Sequence, residues 1–295
     1  MGALDGLSLT HEHGKSRVRV CRVWREGNMH YMAEWSVNVS LVSDVEDAFT
    51  KGDNRGIVAT DTCKNTVYVV AKQCKERCSA EEYAIKLAQH FLKNYSHVSE
   101  VTVAITEKPW VRATVEGQPH KHGYQLAVAK HTVEVSLPRS GPLKLVSGVA
   151  DLTVAKTTQS GFSDFYQDQY TTLGSVSERM LATSIRSTWT YSRLPSDMTA
   201  TFEGIKTTLA ETLYGPPDKG VFSPSVQATL FHMAKAVLAK YPEVALVHLN
   251  MPNIHFLPVK LPFVKFEDDV FVATDEPHGT IQATLRREEV PRSRY

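Results

Sequence analysis

The feature of this 295-residue sequence that most restricts its fold is an order of elements that occurs twice. In the first half, apolar and polar side chains alternate from Trp35 to Leu41, which is the pattern of a strand with one buried face. A capping box at residues 79–82 begins an amphipathic helix with apolar residues at helical spacing. The other predicted elements of this half are strands at residues 18–24, 101–105 and 133–137. Together they predict strand, strand, helix, strand, strand, with residues 61–72 still to be assigned.

A similar order begins again after the turn-rich residues 138–142, which predict a boundary between two halves. The predicted elements are strands at residues 152–154 and 185–191, helices at 202–213 and 223–241, and closing strands near 244–256 and 270–285. The second helix is predicted to begin with Ser223 as its cap and Pro224 in its first turn. We therefore predict two tandem units, residues 1–140 and 141–295, which are related by element order rather than by residue identity.

The segment from Asp61 to Lys72 is ambiguous when it is taken alone. It contains a run of Val, Tyr, Val and Val at residues 67–70, and such a run favours a strand by propensity. The second half, however, has two helices at the corresponding point of its element order. We predict a helix here, because tertiary context often overrides a weak propensity. Each half then has the order ββααββ.

Charge and composition exclude several classes of function. Lys plus Arg number 33 and Asp plus Glu number 32, so the net charge of +1 lacks the positive field on which sequence-independent nucleic-acid binding depends. There is no run of about 18 apolar residues and no apolar stretch typical of a signal peptide, so we expect a soluble chain that is not secreted. The four cysteines, all within residues 21–78, suggest no disulfide framework and fit a reducing compartment.

Two histidine pairs are candidate metal ligands. His11 and His13, like His120 and His122, stand two residues apart, and on a strand each pair would face one side. A catalytic zinc normally has three protein ligands and no third is evident nearby, so exposed or hydrogen-bonded histidines are the simpler interpretation. The sequence also contains no dinucleotide-binding G-x-G-x-x-G, no phosphate loop and no G-x-S-x-G elbow. No cofactor is therefore predicted.

A set of polar residues occupies unusual positions at element ends. Its members are Lys15 before the first strand, Thr60 and Asp61 at a loop-to-helix junction, Arg179 beside an apolar run, Gln227 in the first turn of a helix, and Asn253 with His255 beside Pro252. Each one alone is explained as a cap, a surface charge or a turn residue. Their spacing therefore assigns no function by itself.

The same segments, taken together, form a pattern that extends from Lys15 to about Arg287. They are Gly14-Lys15, Gly52-Asp53-Asn54, Ala59-Thr60-Asp61-Thr62, Lys64-Asn65-Thr66, Lys156-Thr157-Thr158-Gln159-Ser160-Gly161-Phe162, Asp168-Gln169-Tyr170-Thr171-Thr172-Leu173, Arg179, Ser225-Val226-Gln227 and Pro252-Asn253-Ile254-His255. This pattern resembles urate oxidase, the uricase family. The resemblance implies an α+β tunnelling fold (T-fold) of two tandem ββααββ units with antiparallel sheets. It also implies a homotetramer around a barrel-like tunnel, with active sites at the subunit interfaces.

The resemblance further implies a reaction and its catalytic residues. The family oxidises urate with O2 and water to 5-hydroxyisourate and H2O2 in purine degradation, and it uses neither a metal nor an organic cofactor. Lys15 and Thr60 resemble the catalytic pair, and His255 resembles the residue that extends its proton relay. Thr60 and Asp61 would come from the neighbouring subunit. Because a lysine with an ordinary pKa is protonated at neutral pH and is then a poor base, the site must either lower the pKa of Lys15 by desolvation or use Thr60 to conduct the proton.

Five further residues resemble the family's binding site for urate and O2. Arg179 would grip one edge of the flat anion with its planar fork, and Gln227 would clamp the opposite edge with its amide. Phe162 would stack on the ring. Val226 would line the pocket and contribute a backbone contact, and Asn253 would hold O2 and later the attacking water.

The chain departs from the family pattern at a few positions. It has His13-Gly14-Lys15 where the family usually has Tyr-Gly-Lys, and Met251-Pro252-Asn253 where the family usually has Leu-Pro-Asn; neither change removes a catalytic group. The C-terminal Ser293-Arg294-Tyr295 differs in its last residue from a peroxisomal signal that ends in Leu. We expect a peroxisomal protein, with the cytoplasm as the alternative location. The sequence leaves open whether residues 1–13 are ordered.

Two alternative functions stay open at this point. One is a different T-fold enzyme that acts on a purine or pterin and depends on a metal held by His120 and His122. The other is a non-catalytic oligomer that binds urate or has a structural role, although the intact Lys15, Thr60 and Arg179 argue against it. Metal analysis of the purified protein would separate the first alternative from a cofactor-free urate oxidase.

Overall fold

The computed structural model describes residues 7–288, and the chain divides into two compact units between Ser147 and Gly148. This division lies inside a strand, beyond the turn-rich segment at residues 138–142, and the domain bounds 1–140 and 141–295 stay a prediction. The expectation for the C-terminal Ser293-Arg294-Tyr295 lies outside the described residues, as does the question of order for residues 1–6.

The first unit has a four-stranded antiparallel sheet covered by two helices. Its elements are β1 (His13–Glu26), β2 (Met29–Ser43), α1 (Glu46–Thr50), a 3-10 turn (Asn54–Gly56), α2 (Thr60–Gln73), α3 (Ala80–Asn94), β3 (Val98–Glu107), β4 (Trp110–Val115), β5 (Gln118–Leu126) and β6 (Lys130–Pro138). The sheet order is β1-β2-β3-β6, and β4 with β5 forms a separate hairpin. Helix α2 packs on β1, and α3 packs on β3 and β6.

The ambiguous segment is a helix, so the prediction of α2 is confirmed. Its β-branched run is divided between two faces: Val67 and Val70 are buried, whereas Tyr68 and Val69 are 43% and 49% exposed. Burial along this run therefore follows the 3.6-residue period of a helix rather than the two-residue period of a strand. The capping box of α3 is also confirmed, because the side chains of Ser79 and Glu82 each bond the other residue's backbone N–H.

The second unit continues from a strand that begins at the end of the first. Its elements are β7 (Lys144–Lys156), β8 (Leu181–Tyr191), α4 (Met198–Tyr214), α5 (Val226–Lys240), β9 (Val244–Asn250), β10 (Asn253–Pro258), β11 (Phe271–Thr274) and β12 (Gln282–Arg286). Strand β8 lies beside β7 and pairs antiparallel with β9 and β10. Strand β9 also pairs with β12, and β10 pairs with β11. Helix α5 packs on β9, β12 and α4.

Both units therefore follow the order ββααββ, each with an added hairpin before its last strand. The hairpin is β4–β5 in the first unit and β10–β11 in the second. The interval from residue 244 to 256 contains two strands instead of one, because Pro252 has no N–H for a ladder and the pairing with β8 changes from β9 to β10 around it. Within residues 7–288, no helix has both the length and the apolar character needed to cross a membrane.

The predicted start of α5 at Ser223 is wrong. The cap is Ser225, whose hydroxyl accepts a hydrogen bond from the N–H of Ala228 at 3.1 Å, and the first helical residue is Val226. Ser223 cannot begin the helix, because its backbone N–H and C=O bond to Gln159 and Gly161 in a parallel bridge. Pro224 then lies at a bend between this bridge and the cap, outside the helix.

Candidate active site

Lys15 lies on β1 beside a backbone irregularity. The preceding residue must be glycine, because a Cβ on Gly14 would come within 1.9 Å of the carbonyl oxygen of Val39. A β-bulge follows between Lys15 and Val18, in which Arg17 adopts a φ of 58° and its N–H donates to Asn38 Oδ1 at 2.7 Å. A bulge changes the direction in which a strand presents its side chains. Gly14 and the bulge thus fix the position of Lys15 on β1.

Thr60 and Asp61 are the first two residues of α2, near Lys15. The N-cap residue Ala59 has no side chain that could accept a hydrogen bond, so it caps none of the N–H groups in the first turn of α2. The pKa of Asp61 lies below its ordinary value, mainly because Lys64 donates a hydrogen bond at 2.6 Å, and the charge of Lys15 contributes to the shift. The structure therefore brings Lys15 close to the turn that contains Thr60 and Asp61.

His13 connects the two segments that carry these residues. Its Nε2 donates a hydrogen bond to the carbonyl oxygen of Val58 at 3.2 Å, in the tautomer that a carbonyl acceptor requires. Burial lowers the pKa of His13, and the bond to Val58 offsets part of this effect. Lys15 follows His13 by two residues, and Thr60 follows Val58 by two. The side chain of His13 thus connects the start of β1, which carries Lys15, to the segment just before α2, which carries Thr60.

In the second unit, Phe162 and Arg179 lie against each other. The guanidinium carbon of Arg179 is 5.5 Å from the centroid of the Phe162 ring, which is within cation–π range. The N–H of Arg179 donates to the carbonyl of Ser160 at 2.8 Å, and Phe162 exchanges two backbone hydrogen bonds with Val176. Phe162 also stacks on Phe165, with centroids 4.7 Å apart and planes inclined by 7°. Backbone hydrogen bonds therefore hold Phe162 and Arg179 next to each other, and we call these two residues the Phe162–Arg179 assembly.

Two polar atoms at candidate binding residues are buried without a hydrogen-bond partner among the described residues. They are Nε of Arg179, a donor, and Oδ1 of Asn253, an acceptor. Burial lowers the pKa of Arg179, but an arginine stays protonated throughout the physiological range. Buried polar atoms in folded proteins are nearly always bonded. Such a donor and acceptor are suited to a polar ligand.

Val226 and Gln227 form the first turn of α5. Val226 is 2% exposed and packs inward, whereas the side chain of Gln227 is exposed. The N-terminal end of a helix carries free N–H groups and a partial positive charge, so it favours an anion. The segment that follows the Ser223 bridge thus presents the exposed amide side chain of Gln227 at the N-terminal end of α5.

Asn253 and His255 occupy a separate strand, β10. Asn253 is opposite Thr183 of β8, and its N–H donates to the carbonyl of Gly279 at 3.4 Å. His255 is opposite Thr274 of β11. The candidate residues of the second unit therefore come from three places: the Phe162–Arg179 assembly, the start of α5, and β10.

The comparisons with known proteins decide the family. The sequence model of the uricase family matches residues 11–136 and 145–282. This chain belongs to the uricase family. A uricase of Glycine max, Uricase-2 isozyme 1, is 50% identical over 96% of this chain and 96% of its own length. The uricase of Arabidopsis thaliana is 48% identical, with 96% and 97% covered. The crystal structure of uricase from Arthrobacter globiformis has a TM-score of 0.87 at 32% identity and covers 96% of both chains.

Membership of the uricase family confirms the resemblance inferred from the sequence, and the structural likeness confirms the fold. The histidine pairs are the other candidates that the sequence raised. His120 and His122 lie on β5 with ring centroids 4.6 Å apart, and His11 lies against Phe49. Among residues 7–288, no group of three His, Cys, Asp or Glu side chains could hold a metal ion.

One residue near the Phe162–Arg179 assembly was given no role by the sequence: Lys156, the last residue of β7. It is only 9% exposed, and its ammonium group donates three hydrogen bonds within the second unit. The only local signal is a lysine that continues the buried side of β7 two residues after Val154. A charged residue at a buried strand position is uncommon unless it is bonded or functional.

Proposed function

We propose that this protein oxidises urate with O2 and water to 5-hydroxyisourate and H2O2, as a step of purine degradation. The observation that carries the proposal is the half-buried guanidinium of Arg179, with its Nε buried, beside the ring of Phe162 in a chain of the uricase family. A flat, conjugated anion matches both groups, since a guanidinium fork pairs with one polar edge and an aromatic ring supports one face.

In this proposal the second unit binds the substrate. Arg179 pairs with one edge of urate through Nε and its terminal nitrogens, and Gln227 holds the opposite edge. Phe162 stacks on the ring, and Val226 contributes its backbone N–H at the start of α5. Asn253 holds O2 and then the attacking water, a role suited to its buried Oδ1, which has no hydrogen-bond partner among residues 7–288.

Lys15, Thr60 and His255 conduct protons. Removal of a further proton makes urate electron-rich, so that the substrate itself delivers two electrons to O2; this forms H2O2, and water adds to the oxidised ring. Thr60 and Asp61 contact the substrate from the first turn of α2. We expect neither a metal nor an organic cofactor, since the electrons come from urate and the oxidant is O2.

We further propose a homotetramer with its active sites at the subunit interfaces. Lys15 acts electrostatically on Asp61 within one unit, so we propose that one subunit supplies Lys15, Thr60 and Asp61 together. A neighbouring subunit then supplies the urate-binding residues of its second unit. A folded monomer would be inactive on this account. We propose the peroxisome as the location, with the cytoplasm as the alternative.

The decisive experiment measures the consumption of urate and O2 and the release of H2O2 by purified protein in the presence of EDTA. Turnover in chelator supports a cofactor-free urate oxidase. Loss of turnover that zinc restores would favour a metal-dependent T-fold enzyme, and binding of urate without turnover would indicate a non-catalytic oligomer.

Single substitutions test the proposed roles. Lys15→Met and Thr60→Ala should each lower kcat by roughly a hundredfold or more and leave urate binding detectable, as expected for residues that act in proton transfer. Lys72→Met is the matched control, because Lys72 is an exposed lysine in the last turn of α2. Wild-type kcat in Lys15→Met would remove Lys15 from the catalytic pair.

A further inference from the structure

Lys156 is a buried cation with three neutral oxygen partners. Its Nζ donates to the carbonyl oxygens of Gln159 at 3.0 Å and Val221 at 2.8 Å, and to the hydroxyl of Ser223 at 2.8 Å. An ammonium group has three donors, so all of them are used. No carboxylate is among these partners, so the arrangement is a three-way connection between backbone segments rather than an ion pair.

The two segments that Lys156 joins also bond to each other. Ser223 donates its N–H to Gln159 at 2.9 Å, and Gly161 donates its N–H to Ser223 at 3.0 Å, on either side of Ser160. A Cβ on Gly161 would come within 3.0 Å of the carbonyl oxygen of Val176, so the packing here leaves no room for a side chain. The two segments are thus closely packed as well as hydrogen-bonded where they cross.

Both segments lead directly to the residues proposed to bind urate. Phe162 follows Gly161, and Ser160 accepts the backbone hydrogen bond of Arg179 at 2.8 Å. On the other side, Ser223 precedes by two residues the cap Ser225, from which α5 begins. The distance between Phe162 and the start of α5 therefore depends on how the segments around Ser160 and Ser223 are held together, and Lys156 bonds to both.

We propose that Lys156 is a positioning residue for urate, whose ammonium group sets the spacing between Phe162 with Arg179 on one side and Val226 with Gln227 on the other. This inference rests on the proposed function. Lys156 itself does not contact the substrate. Its removal would let the residues at one edge of urate shift relative to those at the other, which weakens the binding of urate.

The test uses Lys156→Met, which keeps a long side chain but removes its hydrogen-bond donors. The control is Lys144→Met, at the opposite and exposed end of β7. For each protein, KM and kcat for urate are measured together with the affinity for xanthine, a purine that lacks the 8-oxo group. We expect Lys156→Met to raise KM and weaken xanthine binding by about tenfold or more, with a smaller change in kcat. Lys144→Met should match the wild type.

A second variant keeps the inference testable if Lys156→Met does not fold. Ser223→Ala removes one of the three acceptors and leaves the backbone bridge, so it should raise KM in the same direction by a smaller factor. Lys156→Arg should not restore KM, because a planar fork cannot direct three donors to these oxygens.

The outcomes separate a positioning role from a structural one. A merely structural lysine would reduce the yield of folded protein and leave the KM of the folded fraction unchanged. Wild-type KM and xanthine affinity in Lys156→Met, or in Ser223→Ala where Lys156→Met does not fold, would overturn the inference. A wild-type protein that neither binds nor oxidises urate would instead overturn the proposed function.

Discussion

Glu81 in the first unit and Lys156 in the second are both buried, and their charged groups are bonded in different ways. In the first unit, Glu81 of α3 is fully buried, and its Oε1 accepts hydrogen bonds from His131 Nε2 at 2.9 Å and Ser147 Oγ at 2.8 Å. In the second unit, Lys156 donates to neutral oxygens alone. Glu81 therefore has a partner that can carry the opposite charge, whereas Lys156 has none among its hydrogen-bond partners.

The pKa shifts describe the energetic difference. Burial by itself would raise the pKa of Glu81, but the hydrogen bonds and charge of His131 and the hydroxyl of Ser147 lower it below its ordinary value. Burial also lowers the pKa of Lys156, and Glu178 only partly opposes this. The fold thus favours the charged form of Glu81 and disfavours the charged form of Lys156. A buried charge held against the preference of the fold is expected where function requires it.

The largest effect on stability should come from breaking the pair in the first unit. His131→Leu leaves the buried Glu81 carboxylate without its hydrogen-bond partner His131, and it should lower the free energy of unfolding by about 3–5 kcal/mol. Urea denaturation measures this loss. Because neither residue belongs to the proposed site, KM for urate in the folded fraction should be unchanged.

The double variant Glu81→Met/His131→Leu is the control for that experiment. It replaces both partners by apolar side chains, so it should recover much of the lost stability. If His131→Leu is as stable as the wild type, or if it raises KM, the contrast between a stabilising pair in one unit and a positioning lysine in the other is wrong.

Acid pH provides a second, smaller test of Glu81. Its pKa in the folded protein lies below the ordinary value of 4.5, so its contribution to stability is present above that value and is lost as the pH falls through the folded pKa. We expect the melting temperature of the wild type to fall more steeply than that of Glu81→Gln between about pH 5 and pH 3. Parallel curves would mean that the carboxylate contributes nothing as an ion.

Two helix caps extend the comparison at about 1 kcal/mol each. Ser79→Ala removes the cap of α3 in the first unit, and Ser225→Ala removes the cap of α5 in the second. Both should lower the free energy of unfolding by similar amounts. Only Ser225→Ala should also raise KM for urate, because Val226 and Gln227 follow that cap. Equal KM values in the two variants would argue against a role of α5 in binding.

Local patterns predicted those parts of the fold that depend on neighbouring residues. The capping box at Ser79 and the amphipathic helix that follows it are examples, and the repeated element order was enough to overrule strand propensity in α2. The start of α5 was wrong by two residues because Ser223 pairs with a segment more than sixty residues earlier in the chain, near Ser160. No local pattern signals such pairing.

The candidate site was even less accessible to local patterns. The contact between Phe162 and Arg179 joins residues that have no periodic relation, and only the resemblance to uricases assigned both to one binding site. The role of Lys156 was missed because its three acceptors become neighbours only when two distant loops cross. Chemistry built from long-range backbone contacts is therefore where sequence patterns are least informative.

Raising the pH into the alkaline range should have the smallest effect on stability, but it should separate most clearly a positioning role of Lys156 from a purely structural one. Because the folded pKa of Lys156 lies below its ordinary value of 10.5, the unfolded chain binds more protons between the two values, and the stability of the wild type should rise with pH there relative to Lys156→Met. Deprotonation also removes one of the three donors, so KM for urate should rise over the same interval. Stability and affinity then change in opposite directions, which a purely structural lysine would not produce. Melting curves and KM values at several pH values up to about 10.5 test this, and a fall of both together would contradict it.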